Sequence, residues 1–200
     1  MSWPEPITLR GHHATLEPVT RGHRDALAKA AVDGELWNLW YTSVPSPEEM
    51  MTEIERRLGL QAAGSMLPFA VLDSSGVPVG MTTYMNIDAV NQRVEIGSTW
   101  YARRVQRTAL NSECKLMLLS HAFETLGCIA VEFRTSFFNR QSRLAIERLG
   151  AKLDGILRCH QRHRDGSLRD TCVYSFIQSE WPAVKMHLTF QVARVTSEGK

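Results

Sequence analysis

Apolar and polar residues alternate along this chain in two periods, and the switches between them mark out most of its elements. Residues 7–18 carry short apolar stretches broken at Gly11, which predicts two short strands or one bent strand. Thr20 is a residue type that caps helices, and Leu27, Ala30 and Ala31 then recur at helical spacing until Gly34. Ser46-Pro47-Glu48-Glu49 is a stronger start signal. It offers an N-cap hydroxyl, a proline at the first helical position and a glutamate three residues on. Met50, Ile54 and Leu58 follow as the apolar face of that helix.

The period then drops to two. Residues 67–73, a Ser74-Ser75-Gly76 turn, residues 77–88, an Asn91-Gln92 turn and residues 94–101 predict three strands. Their connections are too short for a crossover, so the meander is antiparallel. Residues 110–126 form the clearest helix, with Leu110, Cys114, Met117, Leu118, Ala122 and Phe123 on one broad face and Gly127 as its C-cap. A strand over 128–137 should point Ile129, Val131, Phe133 and Thr135 to one side. Asn139 caps a further helix through Leu144, Ala145 and Leu149, stopped by Gly150. A hairpin over 152–162 and 168–177 turns at Asp165-Gly166, residues 180–192 make a last helix, and the polar tail from Thr196 is expected to be loose. The order predicts an α+β fold with helices on both faces of a sheet, in one domain over 1–200 with its core in about 7–181.

Composition narrows the function classes. With 44% hydrophobic residues in 200, the chain can bury a core. No run approaches the roughly 18 apolar residues of a membrane span. The start of the chain shows no basic segment followed by an apolar one, so the expected compartment is the cytoplasm. Cys114, Cys128, Cys159 and Cys172 are widely spaced, as ordinary reduced thiols are. A formal net charge of +2 does not suggest a general nucleic-acid or membrane-surface binder. His160 and His163 lie three apart on a predicted strand, where their side chains diverge, so no metal site is expected.

Chemistry is concentrated in the strand–loop–helix unit from Glu95 to Leu126. The run Val94-Glu95-Ile96-Gly97-Ser98-Thr99-Trp100-Tyr101, followed by Gln106-Arg107-Thr108-Ala109-Leu110-Asn111 and a long helix, resembles the cofactor motif of the GNAT N-acetyltransferases. Asn139-Arg140-Gln141-Ser142, ending in Glu147-Arg148-Leu149-Gly150-Ala151, resembles the companion motif of that superfamily's RimJ/RimL-like branch. The resemblance covers nearly the whole chain. It implies a mixed, mostly antiparallel central sheet, acetyl-CoA as co-substrate and a primary amine, on a small molecule or a protein N-terminus, as acceptor.

A helix N-terminus presents unpaired amides and a partial positive charge, which suits a pyrophosphate. The resemblance assigns this cradle to Gln106, Arg107, Thr108, Ala109, Leu110 and Asn111. Ala109 stands where the family has glycine, which is tolerable if its backbone angles stay negative, and Asn111 takes the last small position. Arg103, Arg104 and Arg107 either neutralise phosphates or are solvated. The strand amides near Ser98, Thr99 and Trp100 are expected to pair with the pantetheine arm, and Gly97 to mark a bulge or a close approach.

Glu95 is the candidate general base, since a partly buried carboxylate has a raised pKa and can take the proton of an arriving ammonium. Its alternative is a structural pairing with Arg93, Arg134 or Arg143. Asn139 caps its helix and, by resemblance, bonds the pantetheine. Ser142 is the candidate donor to the leaving thiolate, with Tyr174 and Cys172 as other options. Trp37, Trp40 and Tyr41 form the expected aromatic wall of an acceptor pocket, or else pack a helix on the sheet. The C-terminal helix is free to pack on its own sheet or on a second subunit, which leaves a homodimer open. A non-catalytic acyl-CoA sensor is the alternative function.

Overall fold

The computed structural model of the protein describes residues 3–163 and 165–198. Strands β1 (Leu9–Arg10) and β2 (Ala14–Pro18) lead into helices α1 (Arg24–Val32) and α2 (Met50–Ala62). The start of α2 shows how local sequence fixes local structure. Ser46 and Glu49 satisfy each other's backbone amides through their side chains, both at 3.3 Å, which is the reciprocal box their spacing predicts.

The meander follows as β3 (Met66–Asp73), β4 (Pro78–Asp88) and β5 (Arg93–Tyr101), and then α3 (Ala109–Ser120) runs on through a π-helical turn at His121–Thr125. β6 (Ala130–Ser136), α4 (Arg140–Arg148), β7 (Lys152–Arg162), β8 (Leu168–Ile177) and α5 (Trp181–Glu198) complete the chain. The eight strands form one sheet in the order β1-β2-β3-β4-β5-β6-β8-β7. Every neighbouring pair is antiparallel except β5 and β6, which are joined by the α3 crossover and run parallel. This is the mixed, mostly antiparallel α+β architecture expected.

The helices divide between the two faces. Tyr84 of β4 donates to the Leu118 carbonyl of α3, while its neighbour Thr83 accepts from Arg57 of α2. Adjacent strand residues point to opposite faces, so α2 and α3 sandwich the sheet. α5 packs beside α3, where Phe123 and Trp181 stack at 5.3 Å, and α4 joins the α3 face through Tyr174 of β8, whose hydroxyl donates to Glu147. Among the described residues, no helix is long and apolar enough to cross a membrane.

Several sequence expectations are corrected. Ile129 lies outside β6 and is exposed, and Leu144 points to solvent while Ile146 and Leu149 take the buried face of α4. The tail expected to be loose from Thr196 continues α5 to Glu198, and residues 199–200 lie outside the described residues.

Candidate active site

β5 and β6 part company after three paired positions. Their register runs Arg93↔Ala130, Val94↔Val131 and Glu95↔Glu132, and beyond Glu95 the edge of β5 has no strand beside it. On its other edge β5 carries one residue too many. Met81 pairs with Trp100 and Thr83 with Gly97, so Thr82 alone faces both Ser98 and Thr99. This is a β-bulge, and its left-handed residue is Ser98, with φ of 48°. Gly97 was expected to mark a bulge or a close approach, and the bulge lies just beyond it. Gly97 itself makes room: a Cβ there would lie 2.7 Å from the Met85 sulfur and 3.0 Å from Glu95 Oε1.

Two buried cations grip the bulge from opposite faces. Lys115 of α3 donates to the Thr99 and Thr82 hydroxyl oxygens, at 2.8 and 3.2 Å, with its ammonium 5.8 Å above the Phe133 ring. Burial pulls its pKa down to about 8. Arg57 of α2 donates to Thr83 Oγ1 at 2.6 Å and makes a long 3.5 Å contact to the Ser98 carbonyl, its charge paired with Glu53 at 2.7 Å. Neither cation stood out in the sequence.

Glu95 is the last paired residue before the strands separate, and it is buried. Asn86 Nδ2 donates to its Oε2 at 2.7 Å, and Arg134 Nε lies 3.5 Å from the same oxygen. Burial raises its pKa above the ordinary carboxylate value; the Asn86 hydrogen bond and Arg134 oppose this, Glu132 adds to it, and Arg169 opposes it. Of the three arginines weighed as structural partners, only Arg134 stands beside it. Arg93 pairs with Glu132, and Arg143 donates to Tyr174.

At the end of β5, Gln106 Nε2 donates to the Tyr101 carbonyl at 2.9 Å and so braces the loop. Thr108 caps α3: its Oγ1 donates to the Val105 carbonyl at 2.8 Å and accepts from the Leu110 amide at 3.3 Å. Ala109 and Asn111 lie within the helix and keep negative φ, so the residues replacing the family's small ones cost no strain; the left-handed residue is Arg107, with φ of 62°. Arg103 and Arg107 are exposed around the helix start. Arg104 is engaged by Asp73 at 3.5 Å and Asp33 at 3.9 Å. The side chains of Trp100, Ala109 and Leu110 are buried, which leaves only their backbones facing a ligand. A helix N-terminus whose first-turn amides, that of Leu110 aside, have no partner within the helix, with exposed Arg103 and Arg107 around it and an open strand edge beside it, fits a pyrophosphate followed by an extended amide-bearing arm.

Across the gap, Asn139 Oδ1 accepts from the Ser142 amide at 3.0 Å, the cap that its position predicts, and the Ser142 side chain is half-buried. Tyr174 is held between Arg143 and Glu147, and Cys172 is buried.

The aromatic wall is only partly as expected. Trp40 and Tyr41 meet edge to face at 5.6 Å, but Trp37 is half-buried against the core instead. Trp40 gathers Phe138 at 5.6 Å, which the sequence did not single out, and His163 at 5.4 Å, which was weighed only as a metal ligand. Among the described residues there is no cluster of three or more His, Cys, Asp or Glu that could hold a metal ion.

This architecture is shared with known proteins. The family model of the acetyltransferase (GNAT) domain matches residues 13–152. A GCN5-related N-acetyltransferase from Brucella melitensis superposes with a TM-score of 0.84 at 29% identity, covering 94% of this chain and 86% of that one. A protein from T. thermophilus superposes at 0.82 with 31% identity over 94% and 98% of the two chains. Mycobacterium smegmatis RimJ, solved with CoA-disulfide, shares the fold at 20% identity with a TM-score of 0.78, over 95% and 96%. No curated protein matches the chain in sequence. The chain therefore belongs to the GNAT acetyltransferase family, and it is an acetyl-CoA-dependent N-acetyltransferase.

Proposed function

We propose that Glu95 is the general base and that the acceptor amine attacks acetyl-CoA directly in a ternary complex. The observation that carries this reading is the position of Glu95, buried with a raised pKa at the point where β5 leaves β6. An ammonium loses one proton to the Glu95 carboxylate, and the freed nitrogen lone pair attacks the thioester carbonyl carbon. A strand amide of the bulge segment polarises the carbonyl oxygen. The C–S bond breaks with its electron pair on sulfur; of the two protons still on nitrogen, one leaves for the thiolate or solvent and the other stays on the amide.

The loop from Gln106 to Asn111 and the start of α3 hold the pyrophosphate, with Arg103 and Arg107 as the exposed cations available to phosphates. The amides of Ser98, Thr99 and Trp100, together with Asn139, hold the pantetheine; the open edge of β5 beyond Glu95 supports this. Ser142 donates a hydrogen bond to the leaving sulfur; its place in the first turn of α4 supports this. Trp40 and Tyr41 line the acceptor side, with Trp37 behind them.

We further infer a cytoplasmic setting, in keeping with four free cysteines, and no nucleic-acid partner, in keeping with the near-neutral charge. Met186 and Phe190 are exposed on α5, which supports a homodimer through that helix.

The test is acetyl-CoA binding by calorimetry, followed by thiol release against a panel of amines and N-terminal peptides. Glu95→Gln should bind acetyl-CoA as the wild type does and lose most turnover. Full activity in that variant would remove Glu95 from the base role.

A further inference from the structure

Arg169 of β8 has a buried Nε with no hydrogen-bond partner among the described residues. Its Nη1 donates to Oε1 of Gln161, the residue directly opposite on β7, at 2.9 Å. One edge of a half-buried guanidinium is thus fixed and another is left unmatched. Buried N–H groups rarely stay unpaired, and each costs free energy until something accepts from it.

The side chain belongs to the face that carries Glu95. Glu95 pairs with Glu132, Arg134 with Val173 and Ser136 with Thr171, so Glu95, Glu132, Arg134, Thr171 and Arg169 share one side of the sheet. Arg169 and Glu95 are close enough for each to shift the other's titration. On this face Arg93, Arg134 and Arg169 stand among the carboxylates of Glu95, Glu132, Asp88 and Asp154, of which Asp88 is opposite Arg93 and Asp154 accepts from Ser175. Glu132 serves both Arg93 and Arg134, whose contacts leave Arg169 outside that pairing. When Glu95 accepts the substrate's proton, Arg169 loses the attraction of that carboxylate. An acceptor with an anionic group on its far side would replace that charge and satisfy Arg169 Nε together.

Beyond Gln161, the same hairpin brings His163 to 5.4 Å from Trp40, which also meets Phe138 at 5.6 Å; Trp40 and Phe138 are 57% and 60% exposed. An apolar wall therefore stands at the end of the hairpin that carries the unmatched guanidinium, two residues past Gln161. We propose that the acceptor is an amine bearing a free carboxylate, with Arg169 binding the carboxylate, and that a free amino acid with a large apolar side chain is its simplest form. This rests on the transferase reading of the Glu95 site.

The experiment compares thiol release with free amino acids of large apolar side chain, their carboxamides and short N-terminal peptides. The wild type should prefer the free acid over its amide by about tenfold or more in kcat/KM, mainly through KM, as a charge-assisted hydrogen bond implies. Arg169→Gln should collapse that ratio toward one. Arg158→Gln, on the outer side of the hairpin where Arg158 pairs with Asp170, should leave the ratio intact. Calorimetry of the amino acid against the CoA-loaded protein gives a readout free of turnover, with binding expected in the wild type and weakened by Arg169→Gln. Amides or peptides used as well as free acids, an unchanged ratio in Arg169→Gln, or no amino-acid binding to the loaded wild type would each overturn the inference. Failure of acetyl-CoA itself to bind would instead remove the transferase reading.

Discussion

The ammonium of Lys115 lies 2.8 Å from the hydroxyl oxygen of Thr99, and through it α3 holds the one residue that β5 carries in excess of β4. The bulge is where β5 turns its edge away from the ladder, so a group that fixes it also shapes the channel beside it. Among the described residues no carboxylate neutralises this cation; two threonine hydroxyls and the face of Phe133 are its surroundings. The arrangement costs stability and serves geometry.

That cost gives a signed prediction. The Lys115 pKa falls from 10.5 to about 8 on folding, so between those values the unfolded chain binds more protons than the folded one. Stability therefore rises with pH across that window, and below pH 8 the penalty for burying the charge is fully present. At about 1.4 kcal/mol per unit, the penalty is about 3 kcal/mol. Lys115→Met should abolish this rise, which urea denaturation at a series of pH values measures. It should also weaken acetyl-CoA binding while gaining stability at pH 7. Parallel stability-versus-pH curves for the two proteins would show that the ammonium is not buried as described.

Glu95 yields a second pH dependence. Its folded pKa lies above the ordinary carboxylate value, so the base is lost, and kcat/KM falls, as pH drops through that raised value. Glu95→Gln should lower kcat by about 10²- to 10⁴-fold near neutral pH and erase that acidic limb. The same shift means that stability falls as pH rises through the window above the unfolded pKa. The Gln variant should then be at least as stable as the wild type at pH 7, which separates lost chemistry from lost folding. An acidic limb that survives in Glu95→Gln belongs to another group.

Much of this site was legible in the sequence, and the parts that were not share a cause. The Ser46–Glu49 box, the Asn139 cap and the bounds of the β7–β8 hairpin follow from residue types a few positions apart, and local patterns report local bonds. Glu95 and the cofactor loop were found because their motif is contiguous. Gly97 was read as a bulge or a close approach without a choice between them, because a bulge, which falls at Ser98, is set by register against the partner strand, and one strand's sequence does not encode that. Glu113 and Lys115 lie outside the apolar face read for α3, yet both are buried against polar partners from the β1–β2 turn, β2, β4 and β5. Arg169 and Asn86 become neighbours of Glu95 only once strands distant in sequence are laid side by side.

Gly97 offers a test of how tightly the base is seated. In Gly97→Ala the new Cβ meets the Met85 sulfur at 2.7 Å and Glu95 Oε1 at 3.0 Å. The thioether is the end of a flexible side chain and can yield, so the stability loss should stay within roughly 1–3 kcal/mol. The carboxylate must also move, and kcat should fall at least about tenfold with acetyl-CoA affinity unchanged, since small misplacements of a catalytic group are costly. Adding Met85→Ala should recover stability without recovering rate. If the rate returns as well, Glu95 tolerates displacement and the seat is not what fixes it.

Glu113 ties the start of the chain to the cofactor helix. Its Oε1 accepts from the His12 amide at 2.9 Å, and its Oε2 accepts from His13 and Ala14 at 2.6 and 2.8 Å. Three backbone donors of the β1–β2 turn thus end on one buried carboxylate of α3. Gly11 is part of the same fit, because a Cβ there would lie 2.5 Å from Glu113 Cδ. Glu113→Ala leaves those amides without their acceptor and should cost about 3 kcal/mol, read as a lower urea midpoint with an unchanged slope. Gly11→Ala should also destabilise, by driving the carboxylate from its seat. Because both changes break one contact, the double variant should lose clearly less than the sum of the two. Strict additivity would mean that the glycine and the glutamate act separately, and the turn would then need another anchor on α3.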